Sequence, residues 1–167
     1  MPRVVIGVGS NVDREVNIRG GLMALRTRFG ALSCSSVYRT KAVGFVGEDF
    51  FNLVVSLHCE LAVQVLVNEL KQIEDEHGRQ RGAAKFTPRT LDLDLLLYGD
   101  AVGNVAGAVL PHPDILRYPF VLGPLAELAP DARHPILQRP YFELWQTRAA
   151  DHAELVPIPD FLFAPPE

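Results

Sequence analysis

The chain has 167 residues, 48% hydrophobic and 22% charged, and 16 Lys plus Arg against 20 Asp plus Glu leave a net charge of −4. That length supports one domain with its own core, and the slightly acidic balance argues against a general nucleic-acid or membrane-surface binder. No apolar run reaches the roughly 20 residues that span a bilayer, residues 1–3 do not open a secretory signal, and two cysteines, Cys34 and Cys59, make no disulfide framework; a reducing cytoplasm is the expected location.

In chain order, residues 4–8 are largely β-branched and run into Gly9-Ser10-Asn11, which reads as a buried strand ending in a turn. Over residues 14–29, Ile18, Leu22, Leu25 and Phe29 recur at helical spacing, with Gly30 as the stop. The pair Gly20-Gly21 weakens that helix and suits a close packing contact. Residues 33–39 read as a strand. Residues 50–58 read as another, with Phe51, Leu53, Val55 and Leu57 on one side. Residues 62–76 are helical, with Val63, Leu66, Leu70 and Ile73 in a stripe. Leu91, Leu93, Leu95 and Leu97 then alternate with Thr90, Asp92, Asp94 and Leu96, a strand period; Leu96 and Tyr98 fall on the aspartate side.

The order β-α-β-β-α-β is the ferredoxin-like split arrangement, an α+β antiparallel sheet with two helices on one face. After Pro111 the chain turns proline-rich. Short helices are expected near residues 114–117, 120–128 and 141–148, packed on the core. One domain is expected over residues 1–150, with residues 151–167 an extended, poorly tied tail.

Several chemistries are excluded by motif. Gly7-Val8-Gly9 begins like a dinucleotide fingerprint, but the third glycine position is Val12. There is no G-x-x-x-x-G-K-[ST], no H-E-x-x-H, no C-x-x-C and no G-x-S-x-G. What stands out is charge order. Arg79, Arg81, Lys85 and Arg89 precede Asp92 and Asp94 directly. Two strand carboxylates two residues apart point the same way and can converge on Mg²⁺, which takes the rest of its shell from water and phosphate. Arginines bind phosphate in bidentate fashion. Together they are parts for phosphoryl transfer. Aspartates alternating with leucines also suit the wet face of a half-exposed strand, and the arginines a solvated run.

Lys85-Phe86-Thr87-Pro88-Arg89-Thr90-Leu91-Asp92-Leu93-Asp94-Leu95-Leu96-Leu97-Tyr98-Gly99 resembles the signature of the 6-hydroxymethyl-7,8-dihydropterin pyrophosphokinase family. So do Gly9-Ser10-Asn11, Tyr38-Arg39-Thr40, Asp49-Phe50-Phe51-Asn52, Gly78-Arg79-Gln80-Arg81, Pro111-His112-Pro113 and residues 120–125, in family order over residues 3–148. The resemblance implies diphosphate transfer from ATP to the hydroxymethyl group of the reduced pterin, with AMP leaving, in folate biosynthesis. It implies two Mg²⁺ ions on Asp92 and Asp94. It implies phosphate contacts from Arg79, Arg81 and Arg89, with Lys85 a further basic position. On the ATP side it adds Glu74, Leu95 and His112. On the pterin side it implies Phe50 and Phe120 as stacking faces, Asn52 as the edge-reading amide, and Thr40, Ala42 and Val43 as loop contacts. Phe86-Thr87 replaces the family's common Trp-Gly, Tyr118 an arginine, and Lys41-Ala42 its common prolines. Small molecules are the expected partners of a monomer, with no nucleic acid or membrane. The loops over residues 41–49 and 79–87 are expected to close over ATP. The alternative is a catalytically weak paralogue that binds pterin or nucleotide in a regulatory role.

Overall fold

The structure is a computed structural model and describes residues 1–43, 47–79 and 90–161. It is α+β. The strands are β1 (Arg3–Ser10), β2 (Ser33–Cys34), β3 (Tyr38–Thr40), β4 (Phe50–His58), β5 (Asp92–Tyr98), β6 (Gly103–Val105), β7 (Ala108–Leu110) and β8 (Val156–Pro157). The helices are α1 (Arg14–Phe29), α2 (Val63–Glu76), α3 (Asp114–Arg117), α4 (Pro119–Leu128) and α5 (Tyr141–Gln146), with a 3-10 turn at Ala149–Glu154. The main sheet is antiparallel in the order β5-β1-β4-β3-β8, with β2 also paired to β4. A separate hairpin joins β6 to β7.

Strand alternation divides the core between two faces. Val4, Ile6, Val8, Leu53, Val55, Leu57, Leu93 and Leu95 pack with Ile18, Leu22 and Leu25 of α1 and Leu66, Leu70 and Ile73 of α2. Val5, Val54 and Leu96 pack on the other face with Ile115, Val121, Leu122, Leu125, Tyr141 and Leu144. The sheet is therefore covered on both sides, by the two long helices and by the three short ones.

The glycine pair of α1 serves close approach. A Cβ at Gly21 would lie 3.0 Å from the Leu91 methyls, and one at Gly20 2.7 Å from His77 Nε2.

Three expectations are corrected. The strand expected over residues 33–39 is broken between β2 and β3. Serines offer the backbone other partners there. Ser35 N–H donates to Val54 O at 2.9 Å, and Val54 N–H donates to Ser35 Oγ at 2.9 Å. Second, β5 slips register opposite Val5/Ile6, where Leu97 and Leu95 are the partners and Leu96 is skipped. That bulge turns Leu97 to the aspartate face, and Tyr98 packs with the α1/α2 core instead. Third, the described part of the tail is tied down. Val156 and Pro157 pair with Arg39 and Tyr38. Phe161 is buried edge-on against Phe51, and its carbonyl accepts from Arg19 Nη2 at 2.8 Å.

Candidate functional site

The central strand presents Gly7 and Gly9 on the face that carries Asp92, Asp94, Asn52 and Phe50. Gly9 stands between Asn52 of β4 and Asp92 of β5, and Gly7 between Val54 and Asp94. Gly9 leaves the cavity floor without a side chain, whereas the Leu96 side chain covers Gly7. At Gly9 the missing side chain is obligatory, because a Cβ would come 2.6 Å from Asn52 Oδ1.

A cavity of about 550 Å³ opens over this floor. On one side it is lined by Thr40, Val43, Phe50, Asn52 and Phe120; on the other by Val67, Leu70, Lys71, Glu74, Leu93 and Leu95. Residues from both faces of the sheet share one cavity because β5 is the outer strand, and the space bends around it. Asp92 and Asp94 stand at the bend, with Arg79, His112, Asp114 and Arg117 around them.

The acid end is tightly cross-linked. Arg79 Nη1 donates to Asp92 Oδ1 at 2.9 Å, to Leu91 O at 3.0 Å and to Glu74 Oε2 at 3.3 Å. Glu74 is buried on the last turn of α2, and its Oε2 accepts Leu93 N–H at 2.8 Å. One carboxylate thus pins both Arg79 and the edge strand. Asp92 and Asp94 are close enough to share a hydrogen bond. Burial first, then the charges of Asp92, Glu74 and Asp114, push Asp94's carboxyl well above the ordinary carboxylate range. Asp94, His112 and Asp114 each offer a ligand atom within 4.8 Å of one another. His112 Nδ1 accepts Asp114 N–H at 3.1 Å, which puts the ring proton on Nε2.

These carboxylates suit a hard divalent cation. Several oxygen donors crowd one partly buried position, and desolvated like charges destabilise the fold unless a cation offsets them.

The pterin-side candidates carry no charge. Asn52 Nδ2 donates to Thr40 Oγ1 at 2.7 Å, so the amide orientation is held by β3. Phe120 opens α4 and stacks on Tyr118, with centroids 5.0 Å apart and planes 14° from parallel; the Arg117 guanidinium lies 5.9 Å from the Tyr118 ring centre.

Of the residues singled out from sequence, Thr40, Val43, Phe50, Asn52, Glu74, Arg79, Asp92, Asp94, Leu95, His112 and Phe120 line this one cavity. Ala42 does not line it, although both its neighbours in sequence do. Arg81, Lys85, Arg89, Phe86 and Thr87 lie outside the described residues, as do residues 44–46 and 80–87 of the two loops expected to close. Sequence reasoning missed Gly9, Lys71, Asp114 and Arg117, and the β6–β7 hairpin whose Gly107, Ala108 and Val109 form part of the wall. For Asp114 the His-x-Asp spacing after His112 was an available signal.

The family model for 7,8-dihydro-6-hydroxymethylpterin-pyrophosphokinase (HPPK) matches residues 5–130. A Synechocystis protein named 2-amino-4-hydroxy-6-hydroxymethyldihydropteridine pyrophosphokinase is 42% identical over 130 residues, covering 76% of this chain and 66% of that protein. One of the same name from Aquifex aeolicus is 36% identical over 145 residues, covering 86% and 90%. A Plasmodium falciparum HPPK-DHPS structure with SDX-DHP superposes with a TM-score of 0.70 at 15% identity, covering 92% of this chain and 45% of that one. The last is a likeness of fold.

Proposed function

The chain belongs to the 7,8-dihydro-6-hydroxymethylpterin-pyrophosphokinase family, and from that premise we infer that it transfers diphosphate from ATP to 6-hydroxymethyl-7,8-dihydropterin, releasing AMP, in folate synthesis. The observation that carries this beyond the family is one bent cavity, with acids and Arg79 crowded at one end, aromatic, amide and hydroxyl groups with Lys41 beside them at the other, and two aspartates where they meet. In the reaction the pterin hydroxyl oxygen attacks the β-phosphorus. The bond from that phosphorus to the α,β-bridging oxygen breaks, AMP takes its electron pair, and the hydroxyl proton is lost.

The residue roles in this reading draw on the family resemblance and, for the described residues, on the cavity lining. Asp92 and Asp94 would hold Mg²⁺, two ions in this reading, which when bound neutralise charge on the phosphate oxygens. Arg79 holds the Asp92 carboxylate in place, and Glu74 holds Arg79 and the backbone of β5. His112, with its proton on Nε2, is oriented as a donor to a phosphate oxygen. Arg81, Lys85 and Arg89 are assigned to the triphosphate and Leu95 to the nucleotide base. On the uncharged side Phe50 and Phe120 stack on the pterin ring, since flat heterocycles are held by aromatic faces. Asn52 reads the ring's hydrogen-bonding edge while Thr40 fixes its orientation, and Ala42 and Val43 complete the loop. In this reading the two substrates meet across the bend, and in-line attack requires the hydroxyl to lie against the β-phosphorus there.

We read residues 1–150 as the pyrophosphokinase domain, acting as a cytoplasmic monomer; the two free thiols suit a reducing compartment. The order β5-β1-β4-β3, with α1 and α2 on one face, supports the ferredoxin-like assignment. The test is AMP release from ATP. It is expected only when reduced pterin and Mg²⁺ are both present. AMP formation that ignores the pterin would overturn the assigned acceptor.

A further inference from the structure

Glu127 lies on the last turn of α4, the helix that Phe120 opens, and its side chain is exposed. Its carboxylate nonetheless accepts three hydrogen bonds from the chain leading into β3. Ser36 N–H donates to Oε1 at 2.5 Å, Ser36 Oγ to Oε2 at 2.8 Å, and Tyr38 Oη to Oε2 at 2.9 Å. All three donors are neutral, so this is no ordinary surface ion pair. The contacts join segments about 90 positions apart.

What they join matters for the site. β3 is three residues long and carries Thr40, whose hydroxyl orients Asn52. α4 carries Phe120 seven positions before Glu127, about 10 Å along the helix. One wall of the uncharged half-site is therefore β3 and the other is the start of α4. Between them runs a continuous path: Phe120, the α4 backbone, Glu127, Ser36 and Tyr38, Thr40, Asn52.

We propose that Glu127 is a positioning residue for the pterin, tying the strand that carries Thr40 to the helix that carries Phe120. This rests on the assignment of that half-site to the pterin. Glu127 does not line the cavity and acts through Thr40, Asn52 and Phe120. The charge-assisted character of the bonds suits the task, since such bonds are shorter and stronger than neutral ones. Burial, then the Glu127 hydrogen bond and charge, push the Tyr38 phenol up to about 12, so Tyr38 remains a donor across the working range.

The experiment is steady-state AMP formation by wild type, Glu127→Ala and Glu127→Gln, varying pterin at saturating ATP and then ATP at saturating pterin. Glu127→Ala is expected to raise the pterin KM about five- to tenfold, with the KM for ATP unchanged. Glu127→Gln recovers part of the loss, because its amide oxygen still accepts from Ser36 N–H. A pterin KM that does not move, or equal rises in both KM values, would overturn the proposal. Should Glu127→Ala not fold, Ser36→Ala and Tyr38→Phe each remove one donor, and a pterin KM raised about two- to threefold is expected; no rise in either overturns it. If the wild type makes no AMP, the assigned reaction fails instead. Pterin fluorescence titrations of the same variants then read the positioning claim as Kd, with the same ratios expected and unchanged values contradicting it.

Discussion

On the β5 side of the cavity Arg79 holds Glu74 and Asp92 by ion pairs, with Asp94 crowded beside them; on the β3 side Thr40, Asn52, Phe50 and Phe120 carry no charge. Among the described residues, Arg79 Nη1 and the buried Glu74 Oε2 cross-link the charged half. The uncharged half is assembled from short pieces: a three-residue strand, the first turn of α4, and Asn52 on β4. Its positions are kept by neutral hydrogen bonds, by Glu127 and by the tail strand β8. The contrast fits the two proposed substrates, a triphosphate and a flat heterocycle. It also means that damage to the two halves should separate in kinetics.

Behind loss of the Asp94 carboxylate itself, the largest separation is expected from Glu74→Ala. It strands the buried Leu93 N–H and removes an acceptor from Arg79, so the acid pair loses its hold. Turnover should fall on the order of 100-fold and stability by about 3 kcal/mol, readable by AMP assay and urea unfolding. Pterin affinity should change little, and a parallel loss of pterin binding would break the comparison. Gly9→Ala is the complementary probe. Its Cβ would press on Asn52 Oδ1, and displacing that buried amide should weaken pterin binding by about 2 kcal/mol while nucleotide-analogue binding holds. Fluorescence titration of the two ligands separates these outcomes.

The smallest effect is expected outside both halves. His134 is buried between α4 and α5, and its Nδ1 accepts from Ile136 N–H and Leu137 N–H, both at 3.2 Å. Burial lowers its pKa below the usual 6.5. The unfolded chain therefore takes up this proton first. Stability is full above about pH 6.5 and declines as pH falls below it, by at most about 1.4 kcal/mol per pH unit. Thermal melts from pH 7.5 to 5.5 check the slope. His134→Asn keeps an acceptor in place of Nδ1 and should flatten the part due to this residue.

Regular periodicity made α1 and β4 legible to the residue, and α2 to within one. What escaped the sequence has local physical causes. Ser35 and Ser36 carry side chains that compete for backbone partners, so a strand pattern broke where hydroxyls and Glu127 offered alternatives. The β5 bulge reversed Leu97 and Tyr98 because one residue changes every later side-chain direction. The β6–β7 turn uses Ala106 and Gly107, both at positive φ, and alanine there gives no turn signal. The tail looked loose because its partners, Tyr38, Arg39 and Phe51, are more than 100 positions away. Most of the candidate site was legible through family resemblance, since Phe50, Asn52 and Glu74 taken singly read as packing or surface residues. Gly9 belonged to a block that resembles the family, but its role was not legible: its contribution is a missing Cβ, visible only once Asn52 is seen against it.

The central claim is that the two halves meet at the aspartate pair. Its most direct test is Asp94→Asn beside wild type, an isosteric change that leaves the floor's shape intact. Wild type should form AMP from ATP and reduced pterin with Mg²⁺, and the variant should lose at least about 1,000-fold in turnover while binding pterin as wild type does. Turnover within about tenfold of wild type in the variant would contradict the account, as would a wild type that binds both substrates and makes no AMP.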